Sequence, residues 1–229
     1  MFYFDIWYLY LILPAALLAM YAQVKINSTY SKYSKVASRR GVTGAEVARR
    51  ILDQNGLQSV QIGHVAGNLT DHYDPRPQVV NLSDSVYNST SVAAIGVAAH
   101  ETGHAVQHAV GYAPIRIRNA IVPVVNIGST LSIPLFLLGF LFSIGILADI
   151  GILLFSFAVL FQLVTLPVEF NASRRALAAI ESRNLLTDDE LRGARSVLRA
   201  AAMTYVAALL VSFAQLLRLI ILYGNRRRD

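Results

Sequence analysis

Apolar residues gather into long unbroken runs along this 229-residue chain. A bilayer core about 30 Å thick needs about 20 consecutive apolar residues in a helix. The first run spans Phe2 to Ala22, with Asp5 as its one charge. It lacks the basic leading segment of a cleaved signal, which predicts an uncleaved anchor. Pro14 inside it is tolerable in a membrane helix. From Ala120 to Val168 the only formal charge is Asp149. That length predicts a transmembrane hairpin turning near Ala148-Asp149-Ile150-Gly151. A fourth run covers Ala200 to Tyr223, with Arg218 near its end able to reach the polar interface.

The pattern changes between the first run and the hairpin. Thr43 to Leu57 reads as a helix: Val47, Ile51 and Leu52 make an apolar face, and Thr43 with Glu46 forms a capping box. Gly56 serves as its stop. Ser59 to Gly67 is a predicted strand, Asp74-Pro75-Arg76-Pro77 is turn chemistry, and Gln78 to Leu82 is a short strand at a sheet edge. Ser83-Asp84 makes a loop, and Ser91 to Val110 is a long helix rich in Ala, Val and His. The fold class is therefore a mainly α integral membrane protein with about four transmembrane helices and a small α+β domain containing a short β-sheet.

Composition agrees. The chain is 55% hydrophobic and 15% charged, where soluble domains carry about 45–50% and 25%. With no cysteine, disulfides, thiol nucleophiles and Cys-based metal sites are excluded. The net charge of +6 comes from residues flanking apolar runs, such as Lys25, Lys32, Lys35, Arg39 and Arg40. Charges so placed face an anionic lipid surface, and no nucleic-acid module accompanies them. Arg116, Arg118, Arg174 and Arg175 join them on one side if three spans intervene, and that side is expected to be cytoplasmic. The tail Arg226-Arg227-Arg228 then falls outside, outvoted by the inner charges. The sequons at Asn27, Asn68, Asn81 and Asn88 would meet no glycosylating lumen.

The chemistry sits in His100-Glu101-Thr102-Gly103-His104. Two histidines four apart on a helix share one face and can both reach one zinc ion at ~2.0–2.1 Å. Glu101 beside them suits a general base acting on water. Ala98, Ala99, Gly103 and Ala105 are small enough for close packing. A catalytic zinc site needs a third protein ligand. His108 lies about 12 Å along the helix axis from His100, too far for one ion. The best candidate is Glu169, the first charge after the hairpin, with Pro167 before it; His64, His72, Asp71 and Asp74 are rivals. Pairing of Glu169 with Arg174 or Arg175 at the interface is the alternative use of that residue. Oxyanion stabilisers would come from His72, Tyr73, Tyr87, Arg174 or Arg175, with Arg174 and His72 foremost. A substrate peptide could add as a strand to Gln78–Leu82.

The runs Leu69-Thr70-Asp71-His72-Tyr73-Asp74-Pro75, Val97 to Gln107 and Val168 to Ala176 resemble YugP-type membrane zinc peptidases of bacteria. More distantly the arrangement is similar to HtpX-type proteases. The resemblance runs from Thr43 to the last span. It implies a zincin-like cytoplasmic domain, zinc held by His100, His104 and Glu169, and Glu101 as general base. Asn171 departs from the pattern, where Asp is usual. The implied organisation is an anchor over 1–23, a soluble zincin-like region over 24–118 with the zinc helix at 91–110, and a transmembrane hairpin over 119–168. A cytoplasmic helical segment follows over 169–199, then a last spanning helix and basic tail over 200–229. Partners are a polypeptide substrate and the lipid bilayer; oligomeric state is not legible. A non-catalytic metal-stabilised scaffold is the competing reading, and a transporter with a midplane metal site is a weaker one.

Overall fold

A computed structural model describes residues 5–226 of the chain. The start of the first apolar run and most of the terminal arginine cluster lie outside the described residues. The molecule is mainly helical, with one small sheet. A π-helical turn, Tyr8–Ile12, leads into α1 (Leu13–Tyr33); α2 is Gly44–Gln54 and α3 is Val92–Ala109. Three long helices follow: α4 (Ala113–Leu141), α5 (Gly145–Ser182) and α6 (Asp188–Arg226). The strands are β1 (Gln61–Val65), β2 (His72–Asp74) and β3 (Val79–Ser83). Among the described residues, four helical stretches are long and apolar enough to cross a membrane: Tyr8–Tyr33, Ala113–Leu141, Gly145–Ser182 and Asp188–Asn225.

The chain divides into two compact units. One comprises the residues up to Gln23, Ile117–Leu166 and Thr204 onward; the other comprises Val24–Arg116 and Pro167–Met203. In the first unit, Phe136, Ala148 and Leu219 are buried together, with Phe140, Phe155 and Tyr223 packed on them. Most other large apolar side chains there are exposed, including Leu17, Leu131, Phe142, Leu153 and Phe213.

The hairpin turn falls at Phe142-Ser143-Ile144, not at Ala148–Gly151. Ser143 takes a left-handed conformation (φ 58°), and the Ile144 N–H returns to the Gly139 carbonyl at 2.9 Å. This closure satisfies the last carbonyls of α4. Asp149 lies near the start of α5, where a negative charge suits the helix dipole. Close approach also decides the position: a Cβ on Gly139 would meet the Ala148 nitrogen at 2.3 Å, so α4 and α5 cross tightly there. Residues 169–199 are helical, formed by the end of α5, which continues to Ser182, and the start of α6 at Asp188.

The second unit has a conventional core. The predicted capping box starts α2: Thr43 Oγ1 accepts from the Glu46 N–H at 3.2 Å, and Glu46 Oε2 accepts from the Thr43 N–H at 3.0 Å. The helix ends at Gln54, earlier than Leu57, because Gly56 (φ 73°) turns the chain and the Leu57 N–H bonds back to the Leu52 carbonyl. Helix α3 lies between two apolar clusters. Ile95 and Ala99 pack with Ile51, Ala176, Ile180 and Leu198. Ala94, Ala98 and Ala105 pack with Leu52, Val80, Leu82 and Val86. Burying each large side chain of this kind contributes about 1.5–3 kcal/mol.

The sheet order is β1-β3-β2, with β3 parallel to β1 and antiparallel to β2. Thus β3 is central, which corrects its assignment to an edge. Its alternation explains why: Val80 and Leu82 are fully buried, so the strand sits over the core and is hydrogen-bonded on both sides. The edges are β1 and β2, and β2 is a three-residue strand too short and polar for alternation to reveal.

Candidate metal centre

Local sequence fixes α3. Ser91 caps it, its Oγ accepting from the Ala94 N–H at 3.2 Å. The Val92 N–H bonds to the Val36 carbonyl at 2.8 Å, anchoring the first turn. Thr102 is fully buried and donates its hydroxyl to the Ala98 and Ala99 carbonyls, so it offers nothing to a metal. Gly103 lets α5 approach: a Cβ there would lie 2.8 Å from the Ala172 carbonyl oxygen.

That approach delivers Glu169. Its Oε2 lies 3.2 Å from His100 Nε2 and 3.6 Å from His104 Nε2. The three ligand atoms lie within 4.8 Å of one another. Two atoms each bound to zinc at about 2.05 Å with tetrahedral geometry are about 3.3 Å apart. Both separations to Glu169 match that value, so these donors fit zinc. Glu169 and His104 are buried, at 3% and 8% exposure, and His100 is partly exposed. Burial opposes a charge on His104, but hydrogen bonding to Glu169 and the nearby Glu101 carboxylate outweigh it, raising its pKa above 6.5. A site built this way attracts a cation.

Glu101 is partly exposed, and its carboxylate makes no hydrogen bond or salt bridge among the described residues. The rival ligands are engaged elsewhere. Asp71 accepts from the Ser83 N–H at 2.7 Å and the Ser83 hydroxyl at 2.9 Å. His64 pairs with Asp84 at 2.8 Å, and Asp74 with Arg76 at 3.1 Å. His108 is exposed beyond the cluster, its ring 6.0 Å from that of Tyr73. His72 has both ring nitrogens in contact, with the Thr70 carbonyl at 2.9 Å and the Asn81 amide at 3.1 Å. Arg174 is exposed on α5, about 140° around the helix from Glu169. Neither His72 nor Arg174 bonds to the His–Glu cluster.

The model of the family described as "Putative neutral zinc metallopeptidase" matches residues 8–224. The chain belongs to that family. Among curated proteins it is 50% identical to "Putative membrane protease YugP" of Bacillus subtilis (strain 168), over 97% of this chain and 99% of that one. No solved structure matches it. A member of the neutral zinc metallopeptidase family with four apolar helices of this length is a membrane protein.

Two polar residues around this His–Glu cluster escape sequence reasoning. Ser173 Oγ lies 3.2 Å from His100 Nδ1, and Gln107 Oε1 lies 3.0 Å from His104 Nδ1. A signal exists for each. Gln107 continues the helical stripe of His100 and His104, and Ser173 lies one turn beyond Glu169 on the same face.

Proposed function

We propose that this protein is a zinc-dependent endopeptidase of the gluzincin type, working at the cytoplasmic face of a bacterial cell membrane. One observation carries the proposal: Glu169, at the end of a long apolar run, meets the paired histidines of α3 within 3.6 Å. His100, His104 and Glu169 would hold the ion as three protein ligands, which leaves a fourth position open, as catalytic zinc requires. When bound, zinc supplies Lewis acidity that acidifies water and polarises a peptide carbonyl. Glu101 takes the proton of the attacking water on its carboxylate and passes it to the leaving amine nitrogen.

A substrate needs an extended backbone near this cluster. Strand β2 is the edge packed toward α3 and has no neighbour on its outer side among the described strands. A substrate strand would therefore add to β2, since β3 is paired on both sides. Main-chain pairing is tolerant of sequence, which suits hydrolysis of membrane or misfolded proteins. Arg174 and His72 are the candidates for stabilising the developing oxyanion. The cytoplasmic orientation rests on the lysines and arginines flanking the first span and the hairpin.

The test uses full-length protein in detergent with casein. Zinc-loaded wild type should cleave it, and Glu101→Gln should bind zinc equally yet cleave about 10²–10⁴-fold more slowly. Equal cleavage by both would end the proposal.

A further inference from the structure

Gln107 is fully buried, and every polar atom of its side chain is used. Its amide nitrogen donates to the Val168 carbonyl at 2.8 Å and to Asn171 Oδ1 at 3.0 Å. Its amide oxygen faces His104 Nδ1 at 3.0 Å. Asn171 Oδ1 also accepts from Arg175 Nε at 2.8 Å. A guanidinium can only donate. Arg175 therefore requires that Asn171 present its oxygen. That oxygen in turn requires the NH₂ of Gln107, and the Gln107 oxygen is then left for the imidazole. An amide oxygen cannot donate, so His104 Nδ1 must carry the hydrogen. The lone pair of neutral His104 is then on Nε2, the atom directed at Glu169.

From this we infer that Gln107, held in sense by Asn171 and Arg175, is a positioning residue that fixes the metal-binding tautomer and ring orientation of His104. The inference rests on the metal centre proposed above. It also accounts for Asn171. What that position must supply is an acceptor for two donors, and a carboxylate would serve as well as an amide. The two histidines differ here. Among the described residues, His100 Nδ1 meets only the Ser173 hydroxyl, at 3.2 Å. A hydroxyl rotates and can donate or accept, so it dictates no tautomer.

Full-length protein in detergent would be titrated with zinc against a competing chelator, and with cobalt while its visible absorption is followed. Gln107→Leu and Asn171→Leu should weaken zinc binding 10–100-fold, in the range for outer partners of a ligating histidine. Both should change the cobalt spectrum. Asn171→Asp should stay close to wild type, because it keeps the acceptor. Ser173→Ala should cost less than Gln107→Leu. Phe136→Ala, a core change in the other compact unit, should lower the melting temperature but not zinc affinity in the folded protein. A folded Gln107→Leu that binds zinc and cobalt as wild type does would overturn the role. If Gln107→Leu does not fold, Asn171→Leu decides in the same way, since it leaves Gln107 in place. Wild type that binds no metal would sink the metal centre and this role together; wild type that binds, with unchanged variants, sinks the role alone.

Discussion

The two units of this chain spend the same residue types in opposite ways. In the unit containing Ile117–Leu166, leucines and phenylalanines such as Leu153 (58% exposed) and Phe213 (55%) point outward. In the unit containing α2, α3 and the sheet, Leu52, Leu82, Ile95 and Ile180 are fully or almost fully buried. The spanning windows are only 11–22% buried, although they are the most apolar segments of the chain. Surrounding solvent explains the contrast. In lipid an outward leucine costs nothing, and the backbone is satisfied within each helix. In water only inward packing stabilises. The metal centre belongs to the second unit, where polar groups can be buried in fixed positions because a close-packed core holds them.

Breaking the centre should give the largest effect and leave the helices standing. Glu169→Ala or His100→Ala should remove zinc binding by more than the 10–100-fold typical of an outer partner, with no change in far-ultraviolet circular dichroism. Metal analysis after dialysis reads this directly. Next comes the packing contrast. Leu52→Ala should cost about 2–5 kcal/mol by cavity formation. Leu153→Ala, on a surface meant for lipid, should cost well under that in thermal melts. If the two cost the same, the contrast between the units is wrong.

Gly103→Ala sharpens the comparison, since the added Cβ would press on the Ala172 backbone at 2.8 Å. Overpacking of this kind costs about 1–3 kcal/mol. Because α5 would have to move, zinc affinity should fall as well, which chelator competition measures. The smallest effect is the pH dependence. The raised pKa of His104 means that, without metal, the folded protein holds that proton more tightly than the unfolded chain. This stabilisation is fully present below the unfolded value of 6.5 and is lost as pH rises through the raised folded value. Zinc needs the neutral ring, so its affinity should move the opposite way and fall on acidification. Melts of metal-free protein and zinc titrations between pH 6 and 8 should therefore show trends of opposite sign.

Much of this was legible in the chain. Run length and composition are enough to mark spanning helices, because the bilayer imposes a length that no packing detail alters. The pattern Ser91 to Val110 gave α3 within a residue at each end, since cap and periodicity are local. The spacing of His100 and His104 is likewise a property of one helix. The turn at Ser143, the edge strand β2 and the central place of β3 were not legible. Each depends on which backbone comes close to which, and a three-residue strand carries no periodicity of its own.

By itself, then, the sequence determined what a single helix or a single solvent can determine: the spans, the paired imidazoles and the carboxylate beside them. Only the tertiary structure decided that Glu169 arrives across Gly103, and that Arg175, Asn171 and Gln107 set the hydrogen on His104. The contacts that bridge α3 and α5, Glu169 to His100 and Asn171 to Gln107, join residues more than sixty positions apart. Donor and acceptor sense passes through space from side chain to side chain, and no local pattern records it.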